Sequence, residues 1–406
     1  MAQIIPATKN ILIVAGDPSG DLHGANLIRE LKALDPELNI ACLGGERMRR
    51  ESDRFIYNLA GLGIGGFTAP LSKFFLWLRL ISVIRNYMEE KNPACIIPID
   101  FYGFNHQILG LAKHRNIPAY YYISPQVWAS RANRAVKLAR LVKKMLLIFP
   151  FEEKIYKDAG AEYEYVGHPI LDILPEPAEP EAKRGGTGYP WKIGLMPGSR
   201  MQEIERHMPV FWQSFLKIKE AFPQSRAYIF AAKEIADETL IRLCAQGAPQ
   251  DSPRDVEIIR EDDYQLRRRM DAVITCSGTA TLENGLLGLP LSVVYIMPQL
   301  TFQIAKRIIK VPYISLVNIV AGKGIVQELI QYQATPDAVA GSIMQLLQNP
   351  DKLNAMRAEL LKLRSKLGDK GATRRAARII LDGAFPQKPA QPEAVAEPAQ
   401  EAAAVK

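Results

Sequence analysis

The sequence is poor in cysteine, with four in 406 residues (Cys42, Cys95, Cys244 and Cys276) and no C-x-x-C pair. A disulfide framework and a cysteine zinc site are therefore not expected, and the pattern suits a reducing compartment. Cys42, Cys95 and Cys276 lie in or beside apolar runs and read as buried thiols. No apolar run approaches the roughly 20 residues that a bilayer-spanning helix needs. The most membrane-like stretch, Phe74 to Ile84, is interrupted by Arg79. The first ten residues hold no sustained apolar core and do not read as a secretory signal. G-x-G-x-x-G is also missing, which removes the dinucleotide fingerprint. These absences leave a soluble or peripheral protein without a metal or redox signature.

The length favours two domains, and 48% hydrophobic residues are enough to give each a core. The net charge of +8 is uneven: Gly66 to Lys144 holds twelve Lys or Arg against three Asp or Glu. Such a stretch suits a phosphate-bearing partner, a nucleotide or an anionic lipid, or is simply a solvated basic face. With no recognised nucleic-acid motif, nucleic acid is not expected as a partner.

Short β-rich runs alternate with helical ones. Strands are expected at Ile11–Ala15, Ile40–Leu43, Ala94–Ile99, Ala119–Ile123 and Lys144–Ile148, with a helix from Leu22 to Leu34. A Pro, Glu and Gly run from Pro175 to Gly188 has linker composition. A second series follows at Lys192–Met196, Ala227–Ala231, Val256–Ile259, Ala272–Cys276 and Leu291–Ile296. The expected division is an N-terminal domain at 1–172, a linker at 173–190, a C-terminal domain at 191–365, closing helices at 366–386 and a disordered tail at 387–406. Two doubly wound α/β halves should face a ligand cleft at the carboxyl ends of their strands.

The polar motifs lie at those ends. In Ala15-Gly-Asp-Pro-Ser-Gly-Asp21, Asp17, Ser19 and Gly20 precede a helix whose free N–H groups suit an anion, or the acid merely caps that helix. Asp100 stands alone after an apolar strand, placed for general-base work or for a cap. Ser124, Trp128, Arg131 and Arg134 open a basic helix suited to phosphate. Pro197-Gly198-Ser199-Arg200 offers backbone N–H groups and a guanidinium to a diphosphate. Ser277-Gly278-Thr279 starts a helix that carries Glu283, placed for ribose hydroxyls. Asn318 is a polar group inside an apolar run, satisfied by a ligand or by backbone. In the helix around Phe74, Phe75, Trp77, Leu78 and Ile81, apolar residues wrap most of the circumference. It is either core or a lipid-contacting surface.

Taken in order, Ala15–Asp21, Gly44-Gly-Glu-Arg-Met48, Ser124-Pro-Gln-Val-Trp-Ala129, Val166-Gly-His-Pro169, Pro197–Arg200, Ser277-Gly-Thr-Ala-Thr-Leu-Glu283 and Asn318-Ile-Val-Ala-Gly322 closely resemble the lipid-A-disaccharide synthases, from Ile11 to Gly383. The resemblance implies a GT-B fold with two Rossmann-like domains and no metal or other cofactor. It implies inverting transfer of 2,3-diacylglucosamine from its UDP donor to 2,3-diacylglucosamine 1-phosphate, at the cytoplasmic face of an anionic inner membrane. A homodimer is possible by analogy. Asp100 matches the family's general base and Arg200 its diphosphate contact. Ser277, Thr279, Glu283 and Asn318 fall where the family holds UDP. Two departures stand out: Asp17 replaces a frequent Glu, and Gly103 replaces a second carboxylate, so Asp100 acts without that neighbour. The rival functions are a UDP-sugar 2-epimerase, another GT-B enzyme, or a non-enzymatic anionic-lipid-binding protein.

Overall fold

The computed structural model describes residues 9–62, 72–130, 133–179, 188–246, 256–261, 263–308 and 311–386. Arg131, the side chain of Phe74, residues 180–187 of the expected linker and the tail 387–406 lie outside the described residues.

The first half forms seven strands: β1 (Asn10–Ala15), β2 (Asn39–Gly44), β3 (Arg54–Asn58), β4 (Cys95–Ile99), β5 (Tyr120–Tyr122), β6 (Lys144–Leu147) and β7 (Tyr163–Tyr165). They pair in parallel in the order β3-β2-β1-β4-β5-β6-β7. The second half forms β8 (Lys192–Met196), β9 (Arg226–Phe230), β10 (Val256–Ile259), β11 (Ala272–Cys276), β12 (Leu291–Tyr295) and β13 (Gln327–Ile330), parallel in the order β10-β9-β8-β11-β12-β13. The central strands are buried along their length and read as unbroken apolar runs, as strands covered on both faces do. Strands β3, β7 and β13 are not among those expected from the sequence. They are short, half-buried and polar (Arg54–Asn58, Tyr163–Tyr165, Gln327–Ile330), and each takes an outer place in its sheet. The architecture is GT-B.

Each sheet reverses its winding once. β1 lies beside β4, with Ala15 opposite Ile99, and β8 lies beside β11, with Met196 opposite Thr275. A crevice opens at such a reversal because the loops leaving the two strands turn to opposite faces.

The closing helix Ala372–Ala384 returns to the first domain and packs on the helix Pro18–Leu34. Asp172 fixes that return: its carboxylate accepts the N–H groups of Gly371 and Thr373 and the Thr373 hydroxyl. The start of the linker is held by the second domain, since Arg364 and Lys370 pair with Glu176 and Arg357 donates to the Ala178 carbonyl. One apolar core runs from Ile11 and Ile13 through Ile170 and Ile380 to Leu286 and Leu363, tying the halves together. All four cysteines are buried, Cys244 included. No helix of the described residues is long and apolar enough to cross a membrane.

Two helix expectations need correction. The first helix starts at Pro18, not Leu22: Asp17 caps it and accepts the Gly20 N–H at 2.6 Å, so Ser19 and Gly20 form its first turn. The helix Ser72–Lys91 is two-faced. Trp77, Leu80, Ile81, Ile84, Tyr87 and Met88 recur at helical spacing and pack inward, so Trp77 and Ile81 are not outward contacts. Phe75 (74% exposed), Leu78 and Val83 face solvent.

Candidate active site

At the first reversal the chain is bent into an uncommon shape. Asp100 and Phe101 follow β4 with φ of 44° and 49°, and Ile123 follows β5 with φ of 60°. Side chains rarely adopt this region, and for a β-branched residue it is costly, of order 1–3 kcal/mol. The surroundings hold the bend. The Asp100 N–H donates to the Ile123 carbonyl, and the Asp100 carbonyl accepts from Tyr121 Oη and Asn105 Nδ2. One Asp100 carboxyl oxygen accepts the Phe101 N–H at 2.8 Å, which orients the group.

Asp100 keeps a partly exposed surface in this crowded position. Burial, then the Asp17 carboxylate, then Glu152, push its carboxyl up to about 8, against the Phe101 N–H. Burial also raises Asp17. The Gly20 N–H and then the Arg200 guanidinium oppose that rise, and Asp21 adds to it. Arg200 belongs to the second domain, so its charge reaches Asp17 across the gap. The Asp17 side chain is both helix cap and electrostatic neighbour of Asp100.

Ser124 lies below the surface of the first reversal. It is buried, and its hydroxyl donates to Glu152 Oε1 at 2.5 Å. Glu152, in Phe149-Pro-Phe-Glu152 after β6, also accepts the Phe149 N–H, and burial raises its carboxyl to about 7 despite these bonds. Sequence reasoning missed it, although an acid in the turn that follows an apolar strand, at the start of the next helix, was the available signal. Trp128 packs edge-on against Phe151 at 5.4 Å, and Arg134 covers the Tyr102 ring at 4.1 Å.

The second reversal carries the other motifs. Gly198 has φ of 124°, and a Cβ there would meet Glu203 at 2.8–2.9 Å. Ser199 and Arg200 are exposed. Arg200 sits at the start of the helix Met201–Ala221 and pairs with Glu203 at 2.8 Å. His207, buried and unnoticed in the sequence, clamps this loop. Its Nδ1 is 3.0 Å from the Pro197 carbonyl, and its Nε2 accepts the Ile296 N–H at 2.9 Å, which makes Nδ1 the protonated nitrogen. Burial lowers its pKa, so it stays a neutral strut.

Ser277 donates to the Ile314 carbonyl, Gly278 has φ of 156°, and Thr279 opens the helix Thr279–Leu286 with half-buried edges toward the loop. Glu283 pairs with Arg267 at 2.5 Å, and Arg267 lies over Tyr264 at 4.8 Å. Burial and Glu283 raise the Tyr264 phenol, while Arg267 and then Arg47 of the first domain oppose the rise. Tyr264, the neighbour of Glu283 and Arg267, thus lies within reach of a first-domain charge. Asn318 follows the backbone alternative: it donates to the Val326 carbonyl and Glu328 and accepts the Ile325 and Val326 N–H groups. It braces the loop that Ser277 touches and has little left for a ligand. Glu328 completes that brace through the Ile314 and Ser315 N–H groups and the Ser315 hydroxyl.

The structure thus puts Asp17, Asp100, Gly198, Ser199, Arg200, Ser277, Gly278 and Thr279 where the chain leaves the strands at the two reversals, with Glu283 further along the helix that Thr279 opens. Ser124, Trp128 and Asn318 support the loops from behind.

Residues 11–381 match the sequence profile of the family described as lipid-A-disaccharide synthetase. A curated lipid-A-disaccharide synthase of Geobacter metallireducens is 36% identical over 378 residues, covering 92% of this chain and 97% of that protein. One of Syntrophus aciditrophicus is 37% identical over 377 residues, with the same coverage. Among solved structures, the UDP co-structure of Staphylococcus aureus MnaA aligns with a TM-score of 0.65 at 11% identity, covering 94% of this chain and 99% of that one. Acinetobacter baumannii MurG aligns at 0.56 and 16%, covering 92% and 99%. At those identities the structural likeness speaks for the fold alone. The sequence match extends from β1 to the closing helix and includes the loops at both winding reversals, so the chain belongs to the lipid-A-disaccharide synthase family of glycosyltransferases.

Proposed function

We propose that the chain transfers 2,3-diacylglucosamine from UDP-2,3-diacylglucosamine to the 6-hydroxyl of 2,3-diacylglucosamine 1-phosphate with inversion. The observation that carries this is the meeting of the two reversals: the Arg200 guanidinium of the second domain acts on Asp17, and Asp17 is the charged neighbour of Asp100, whose carboxyl the bent loop after β4 holds and orients through the Phe101 N–H. Ionised Asp100 takes the proton as the acceptor oxygen attacks the anomeric carbon. The bond from that carbon to the diphosphate breaks, and its electron pair leaves with UDP. Arg200, the N–H groups around Gly198 and the helix start at Thr279 offset the growing charge. Holding both sugars in one cleft supplies the orientation. The transition state is oxocarbenium-like, as in glycoside hydrolysis. In this reading Glu283, which Arg267 orients, accepts the ribose hydroxyls.

The acylated substrates place the work at a membrane surface. The exposed Phe75 and Leu78, with Arg79 and Arg85 on the same helix, suit peripheral contact with an anionic leaflet, the cytoplasmic face of the inner membrane. Mass spectrometry of products from the two acylated sugars tests the reaction. A β-1,6-linked disaccharide 1-phosphate and UDP are expected, and their absence across several detergents would refute it. Incubation with UDP-N-acetylglucosamine alone separates the rival: a manno epimer would reassign the enzyme to the epimerases.

A further inference from the structure

The helix Gln299–Ile308 buries none of its residues. Its outer face carries Leu300 (76% exposed) and, one turn on, Ile304 (47%), flanked by Gln299, Gln303, Lys306 and Arg307. Its inner, half-buried face includes Thr301, Phe302, Ala305 and Ile308. Phe302 meets the ring of Tyr332, which is itself 68% exposed and extends the apolar patch. Apolar residues presented to water at this spacing need a partner.

Charge identifies the partner. Between Glu283 and Glu328 there is no Asp or Glu, while Lys306, Arg307, Lys310 and Lys323 are all basic. Pairing this helix with a second copy of itself would set these cations against one another, with no acid in the segment to neutralise them. Lipid phosphates would neutralise them, and a bilayer would also take Leu300 and Ile304. An exposed Tyr beside such a face suits the headgroup level.

We propose that the helix Gln299–Ile308 is a second bilayer contact, laid on an anionic lipid surface and belonging to the nucleotide-binding half. It rests on the acylated-substrate function above. Each half then touches the membrane through a helix tied to its own catalytic loop. In the first half, Trp77 packs on Phe101 and Phe104 beside Asp100. In the second, Ile296, three residues before the helix, is held by the His207 clamp on the Pro197 loop.

The test is co-sedimentation of the full chain with vesicles of phosphatidylethanolamine and phosphatidylglycerol, with neutral phosphatidylcholine vesicles for comparison. The Leu300→Ser/Ile304→Ser pair and the Lys306→Gln/Arg307→Gln pair should each weaken binding to anionic vesicles about tenfold or more. UDP binding and turnover of detergent-dispersed substrate should stay unchanged in both, since all four side chains are exposed. Wild-type binding weakened only by Phe75→Ser/Leu78→Ser would overturn the proposal. So would a Leu300→Ser/Ile304→Ser protein that binds vesicles normally but changes from dimer to monomer in sedimentation, because the face would then belong to a second copy. If the wild-type protein ignores every vesicle yet forms disaccharide, the membrane contact fails while the reaction stands.

Discussion

The ring of Phe101 occupies the space that a Cβ on Gly16 would need: that atom would lie 2.1 Å from the ring's Cδ1. Gly16 closes β1 and Phe101 follows Asp100 after β4, so a missing side chain on one strand end seats the loop that carries the proposed base. Gly16→Ala should therefore move Phe101 and lower turnover at least tenfold. It should cost about 1–3 kcal/mol of stability, as overpacking does. Thermal melts and kcat measured on the same preparation check both effects.

Asp100→Asn should remove turnover by a factor of about a thousand or more, as loss of a general base does, with UDP affinity nearly intact. The same change should stabilise the fold. The folded carboxyl sits at about 8, above its unfolded value of about 3.9. Its contribution to stability is therefore complete below about pH 4 and is lost as pH rises through about 8. Asn carries no charge to desolvate and tolerates a positive φ. After allowance for the site's partial exposure, a gain of about 1–2 kcal/mol at pH 8 is expected. A destabilised Asp100→Asn protein would contradict the burial argument.

The base must be ionised to work, so kcat/KM should climb with pH toward a plateau above about 8. Asp17→Asn removes a negative neighbour of Asp100 while preserving the helix cap. The rising limb should then shift to lower pH. An unmoved limb would show that Asp17 does not act on the base.

Arg200→Ala should lower kcat by about a hundred- to a thousandfold, the usual scale for losing a preorganised charge on a leaving group. Arg200→Lys should restore part of this, because it keeps the charge and loses the planar fork. Isothermal titration with UDP beside steady-state kinetics separates binding from transition-state effects.

Asn318→Ala discriminates a brace from a ligand contact. It strands the Ile325 and Val326 N–H groups and should cost about 2–4 kcal/mol of stability. A protein that melts normally yet binds UDP weakly would return Asn318 to the nucleotide site.

Much of this was legible along the chain. Buried parallel strands are unbroken apolar runs, so β1, β4, β8 and β11 announced themselves, and the polar groups after them marked both loops. Asp100 stood out because a lone acid at the end of Cys95–Ile99 has no business in a core. The outer strands β3, β7 and β13 did not stand out, because half-buried pairing leaves no clear hydrophobic period.

The amino-acid order by itself determined which segments become strands, where their loops fall and which residue types those loops offer, since these depend on local periodicity and backbone preference. Only the tertiary structure decided what each polar side chain does. It spent Ser124 on Glu152 and Asn318 on backbone groups, turned Trp77 and Ile81 inward, and set the charge of Arg200 against Asp17 across the gap between domains. Those outcomes depend on distances between residues far apart in the chain, and on which buried groups must find a partner once water is excluded.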